Sequence, residues 1–106
     1  MTGADAQPNA VRGEAALEIG GERLLLRPSF AALVAAEAEL GPLFDLVERA
    51  ADGKLSLGEL VGLFWHCLTD RERLNREALG EAIVAAGLAR VTPALKAVLR
   101  QILAGI

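Results

Sequence analysis

The stretch Gly53-Lys54-Leu55-Ser56-Leu57-Gly58-Glu59-Leu60 carries the clearest local instruction in the chain. Ser56 followed three residues later by Glu59 forms a capping box: the serine hydroxyl accepts from the amide of Glu59, and the glutamate reaches back to the amide of Ser56. Leu55 before the cap and Leu60 at the fourth helical position add a hydrophobic staple. A helix therefore begins at Leu57 and runs to about Leu68. It is apolar nearly all round, with Leu57, Leu60, Val61, Phe64 and Leu68 on one face and Leu63 and Cys67 on another. A helix of that kind belongs inside a core. Only its Gly58, Gly62, His66 line lacks apolar bulk, where another backbone could approach.

Upstream, Gly41-Pro42 ends one helix and opens another over Leu43 to Ala51, with Leu43, Leu46 and Val47 turned inward and Asp45, Glu48 and Arg49 outward. The preceding helix starts after Ser29, an N-cap, and runs to about Leu40. Phe30, Leu33, Val34, Glu37 and Leu40 form its stripe at spacings of three and four. Before it lie Ala15 to Ile19 and Arg23 to Arg27, separated by Gly20-Gly21-Glu22. Two short apolar runs split by Gly-Gly predict a β-hairpin, because tight primed turns need positive φ. Two strands are marginal in water, so the hairpin must lie on helices, join a neighbour's sheet, or both. Residues 1–12 are polar and aperiodic and are expected to form a disordered tail.

Downstream, Thr69-Asp70-Arg71-Glu72 offers a second capping box or a polar loop before a helix starting near Asn75. Leu79, Ala82, Ile83 and Ala86 mark its buried stripe, and Gly87 closes it. Thr92 with Pro93 reads as N-cap and first helical residue. Leu95, Val98, Leu99, Ile102, Leu103 and Ile106 then continue as a strongly amphipathic last helix. The expected fold is α+β but mainly α: an N-terminal hairpin followed by about five short helices, packed as one domain over residues 13–106.

Composition agrees with one small helical domain. The chain has 106 residues and 11.1 kDa, with 53% hydrophobic but only 4% aromatic residues. Twenty Ala and nineteen Leu make up most of the apolar content. A net charge of -3 gives no excess of positive charge for a nucleic-acid backbone. The lone Cys67 cannot build a disulfide framework, which points to a reducing compartment. The first twelve residues lack the apolar core of a signal peptide, and no apolar run approaches a membrane span. A cytoplasmic protein is the expectation. Charge is uneven: residues 1–28 sum to -1, residues 29–68 to -4 and residues 69–106 to +2. An acidic middle and a basic end could attract one another between subunits or form an ordinary solvated surface.

The chemistry-bearing residues do not assemble a catalytic or cofactor site in sequence. His66 and Cys67 are neighbours on a helix and point about 100° apart, so a buried structural cysteine beside a histidine is the better reading. One Cys and one His cannot supply a structural zinc site. Glu48 to Glu59 overlays a calcium loop at Asp52, Gly53, Leu55 and Glu59, but Glu48 and Ala50 stand where an aspartate and a ligand are needed. There is no phosphate loop. Arg71, Arg73, Arg76, Arg90, Lys96 and Arg100 could make a basic face, yet Glu72, Glu77 and Glu81 interleave with them. The expectation is no enzyme, no cofactor, no nucleic acid and no membrane.

The order of features carries a resemblance: Gly13-Glu14, a hairpin with Gly21, Leu26-Arg27, Ser29-Phe30-x-Ala32-Leu33, Glu37, Leu40-Gly41, Gly53-Lys54-Leu55-Ser56 with Glu59-Leu60, and Gly87-Leu88. From Val11 to Ala104 this resembles the gene transfer agent family of phage-derived tail proteins, found in gene transfer agent clusters and prophages. That family looks like the tail assembly chaperones of long-tailed phages. The resemblance implies a non-enzymatic chaperone that binds the tape-measure protein during virion assembly, with the tail-tube protein a further partner and a homo-oligomer expected. Partner-binding residues are placed at Leu24 and Leu26, at Leu63, Trp65 and Cys67, and at Leu99, Ile102 and Ile106. Each also has an ordinary core or dimer-packing reading, favoured for Trp65 and Leu99. The alternative is a permanent structural component of the tail, and a DNA-binding regulator comes third.

Overall fold

Gly20 and Gly21 adopt φ of 58° and 76°, the paired left-handed conformation that a two-residue primed turn demands. They close an antiparallel hairpin of β1 (Ala15–Ile19) and β2 (Glu22–Leu26), in register Ala15 with Leu26 through Ile19 with Glu22. Alternation then places Ala15, Leu17, Ile19, Leu24 and Leu26 on one buried face. The computed structural model describes residues 14–72 and 74–105. The tail over residues 1–12 and the assignments to Gly13, Arg73 and Ile106 lie outside them.

Among the described residues five helices follow: α1 (Phe30–Leu40), α2 (Leu43–Ala51), α3 (Leu57–Cys67), α4 (Arg76–Ala86) and α5 (Leu88–Ala104). Three begin on side-chain caps. Ser29 accepts from Ala32 N at 3.2 Å, Ser56 and Glu59 complete the capping box at 3.1 and 3.0 Å, and Asn75 accepts from Ala78 N at 2.7 Å. α3 is the central helix: Leu63 and Phe64 are wholly buried, and Leu60, Val61, Gly62 and Cys67 are buried around them. α1 packs on α3, α3 on α4 and α4 on α5, while the hairpin lies mainly on α5. The marginal two-stranded sheet thus gains a helical layer, as its size requires. A side-chain amide on α5 secures it, Gln101 Nε2 donating to the Glu14 carbonyl at 3.0 Å. Among the described residues no single helix is long and apolar enough to cross a membrane.

Two local expectations are corrected. Thr92 is not an N-cap: α5 starts at Leu88, and Thr92 Oγ1 donates back to the Leu88 carbonyl at 2.8 Å inside the helix. Gly87, at φ 95°, makes the break, and Pro93 sits exposed within α5. Of the two readings of Thr69 to Glu72 the polar loop holds, with Asp70 accepting from the Glu72 amide at 3.1 Å. The hairpin is also tied to the end of α3. Arg27 N donates to the Cys67 carbonyl at 2.7 Å, Thr69 N donates to the Leu25 carbonyl at 3.1 Å, and Leu26 bridges Leu68.

The second correction concerns α1. Its buried face is Ala32 and Ala36, not the larger side chains: Phe30 is 86% exposed and Val34 49%. Small side chains let α1 approach α3 closely, and α3 supplies the bulk with Phe64 and Leu63. Leu33 and Leu40 are partly buried against that core, and Leu40 lies over Gly62 of α3.

Candidate functional site

The eight residues placed at a partner surface separate by burial. Leu24, Leu26, Leu63 and Cys67 are inside the core, at 4% exposure or less, and a partner cannot touch them while the domain stays folded. Trp65, Leu99 and Ile102 are half-buried against that core. Trp65 also carries the Arg71 guanidinium over its ring, 5.4 Å from the centroid, a cation–π contact at the surface. Ile106 lies outside the described residues.

Large apolar side chains are exposed elsewhere. On the α1–α2 side these are Phe30, Val34 and Phe44, the last 82% exposed. The outer face of α1 also carries Ala31, Ala35 and Ala38, so this helix is apolar all round yet covered on one side only. Val84 on α4 and Leu88 and Leu103 on α5 are exposed as well, with Leu103 62% exposed. The signal for α1 was present in the sequence, as a helix with no polar face beyond Glu37 and Glu39. It was hidden because the bulky stripe looked like the core face.

A polar cluster locks three helices together. Glu39 of α1 accepts from Arg76 Nη1 of α4 at 2.9 Å and pairs also with Arg76 Nη2, while His66 Nε2 of α3 lies 2.7 Å from the same carboxylate. Hydrogen bonds from Arg76, then His66, hold the Glu39 carboxyl down at about 2. Arg76 reaches Glu39 by passing over Gly62, where an added Cβ would stand 2.7 Å from Nη2. The glycine line of α3 therefore admits a guanidinium, where the approach of a backbone was expected; Gly58 faces open space. A second link joins α2 to α3, Arg49 Nη1 donating to both Glu59 oxygens at 2.6 Å. That contact and the Ser56 cap hold the Glu59 carboxyl below its usual range.

Surface depressions among the described residues include a groove and a smaller hollow. A groove of about 670 Å³ runs between the hairpin turn and α4–α5, lined by Glu18, Arg23 and Arg90 beside small residues. A smaller one of about 310 Å³ is lined by Arg27, Ser29, His66, Cys67, Thr69 and Arg71. Burial pushes the Cys67 thiol up to about 12, so a thiolate nucleophile is not available there at neutral pH. Among the described residues no group of three or more His, Cys, Asp or Glu side chains could hold a metal.

Packed helices with unpartnered apolar faces, and polar groups that serve as caps and ion pairs, define a small domain suited to protein–protein assembly. A family model adds the particular lineage. The chain belongs to the family described as phage tail tube protein, GTA-gp10, whose model matches residues 12–105. This bears out the gene transfer agent and phage tail resemblance; the description names a tail tube protein and does not name an assembly chaperone. No curated protein and no solved structure matches the chain.

Proposed function

We propose that this protein is a structural component of a gene transfer agent or related phage-type tail, made in the bacterial cytoplasm and retained in the particle through contacts with its own copies and with neighbouring tail proteins. The observation that carries this reading is membership of a tail tube family over residues 12–105, in a domain that leaves Phe30 and Phe44 in solvent. A lone domain gains nothing from exposed aromatics, whereas an assembling one buries them. No catalytic or cofactor role is part of the proposal. Mass spectrometry of purified particles tests it: the chain should be present in the tail fraction, and its absence there while it is abundant in the producing cells would overturn the reading.

One observation favours a second reading, the assembly chaperone that binds the tape-measure protein. The unpartnered face of α1 has the character of a surface that takes up apolar helical segments. Co-expression with the cognate tape-measure protein discriminates. If that protein's solubility is unchanged and no complex elutes, the chaperone role is sunk.

A further inference from the structure

We propose that copies of this chain join head to tail, the outer face of the α1–α2 layer of one copy seating on α5 of the next. Resting on the tail-component reading, this names the surface through which copies meet. Three observations lead to it. Both faces carry exposed large side chains, Phe30 and Phe44 on one and Leu88 and Leu103 on the other. Packing runs from α2 through α1, α3 and α4 to α5, so α2 and α5 are the terminal members of that series of contacts. They also carry opposite charge. α1 and α2 together hold four carboxylates and one arginine, a net -3, whereas α5 holds Arg90, Lys96 and Arg100 and no acid, a net +3.

The charges that remain after internal pairing lie beside the apolar contacts. Glu39 is matched by Arg76, Arg49 is held by Glu59 with Asp45 3.8 Å away, and the Glu37 carboxylate accepts from the Leu43 amide at 3.0 Å, which leaves Glu48 as the carboxylate beside Phe44. Glu48 is one helical turn from Phe44, and Lys96 lies on the side of α5 that carries Leu99 and Leu103. Two acidic faces would repel, as would two basic ones, so a symmetric dimer through either face is disfavoured. The complementary pairing is heterologous, which generates a ring if it closes and a filament if it does not.

The test uses the 106-residue chain with Phe44→Ser and Leu103→Ser, both exposed positions whose variants should retain the native circular dichroism. Wild type should associate with rising concentration and dissociate with rising salt. Each variant alone should lose at least about tenfold in association, the loss typical of truncating a well-placed anchor. Their equimolar mixture should form dimers and stop there, because each variant retains the face that the other lacks. Glu48→Lys and Lys96→Glu supply a second pair: each should fail alone, and the mixture should recover the wild-type species. A wild type that stays monomeric at every concentration, a Leu103→Ser variant that dimerises by itself, or single variants that assemble like wild type would each overturn the proposal. Absence from purified particles would instead sink the tail-component reading, so the two failures are distinguishable.

Discussion

Three phenylalanines divide this molecule into what folds it and what it offers to others, and replacing each with alanine separates the two roles. Phe64 is 0% exposed at the centre of α3, whereas Phe30 and Phe44 are 86% and 82% exposed. Truncating a buried phenylalanine removes its transfer free energy and leaves a cavity, at a cost of about 3–5 kcal/mol. Against a total stability of roughly 5–15 kcal/mol for a domain, Phe64→Ala should leave the protein at the edge of folding. Surface truncations stay within about ±0.5 kcal/mol, the expectation for Phe30→Ala and Phe44→Ala. Trp65 is the only tryptophan, and urea unfolding followed by its fluorescence reads all three variants. With a slope of about 1–3 kcal/mol per molar urea, the Phe64 change should lower the midpoint by more than about 1 M. The measurements belong at dilute protein, because association adds to apparent stability. A loss above about 1.5 kcal/mol at Phe30 or Phe44 would assign them to the fold and refute the division; so would a loss below about 1 kcal/mol at Phe64.

Other consequences are separately measurable. Gly21→Val should destabilise the hairpin by about 1–2 kcal/mol, because a β-branched residue is strained at φ 76°; an unchanged melting temperature would contradict the turn assignment. The Glu39 carboxyl titrates at about 2 in the folded chain, against an ordinary value of 4.5. Its contribution is therefore full above about pH 4.5 and is lost as pH falls toward 2. The melting-temperature gap between wild type and Glu39→Gln should shrink over that interval, and a gap independent of pH would rule out the Arg76 and His66 contacts as its source. Cys67 should resist a thiol-reactive dye in the native state and react on unfolding, since its thiol is buried and raised to about 12; prompt native labelling would show the α3 exit to be open.

The parts of the fold that were legible are those written in short-range chemistry. Ser56 with Glu59 fixed the start of α3, and Gly20-Gly21 fixed the hairpin turn, because each needs only residues a few positions apart. What was not legible depends on what lies across the contact. The Ala32–Ala36 face of α1 is buried because α3 brings the bulk, so the Phe30–Val34 stripe that looked like core points to solvent. Thr92-Pro93 satisfied the rules for a helix start, yet Gly87 had already set the break and the Thr92 hydroxyl turned back onto Leu88. Glu39, His66 and Arg76 come from three helices, and nothing local announces that they meet. The same limit applied to the partner surface: Leu24, Leu26, Leu63 and Cys67 are as apolar as a docking face requires, but the domain itself covers them.

The central claim is that this chain remains in the tail as a repeating component. Quantitative mass spectrometry of purified particles, with intact tails separated from producing-cell extract, tests it most directly. The account predicts the chain in the tail fraction at a fixed, multi-copy ratio to the other tail proteins. Its loss from purified tails, with the protein plentiful in the extract, would contradict it.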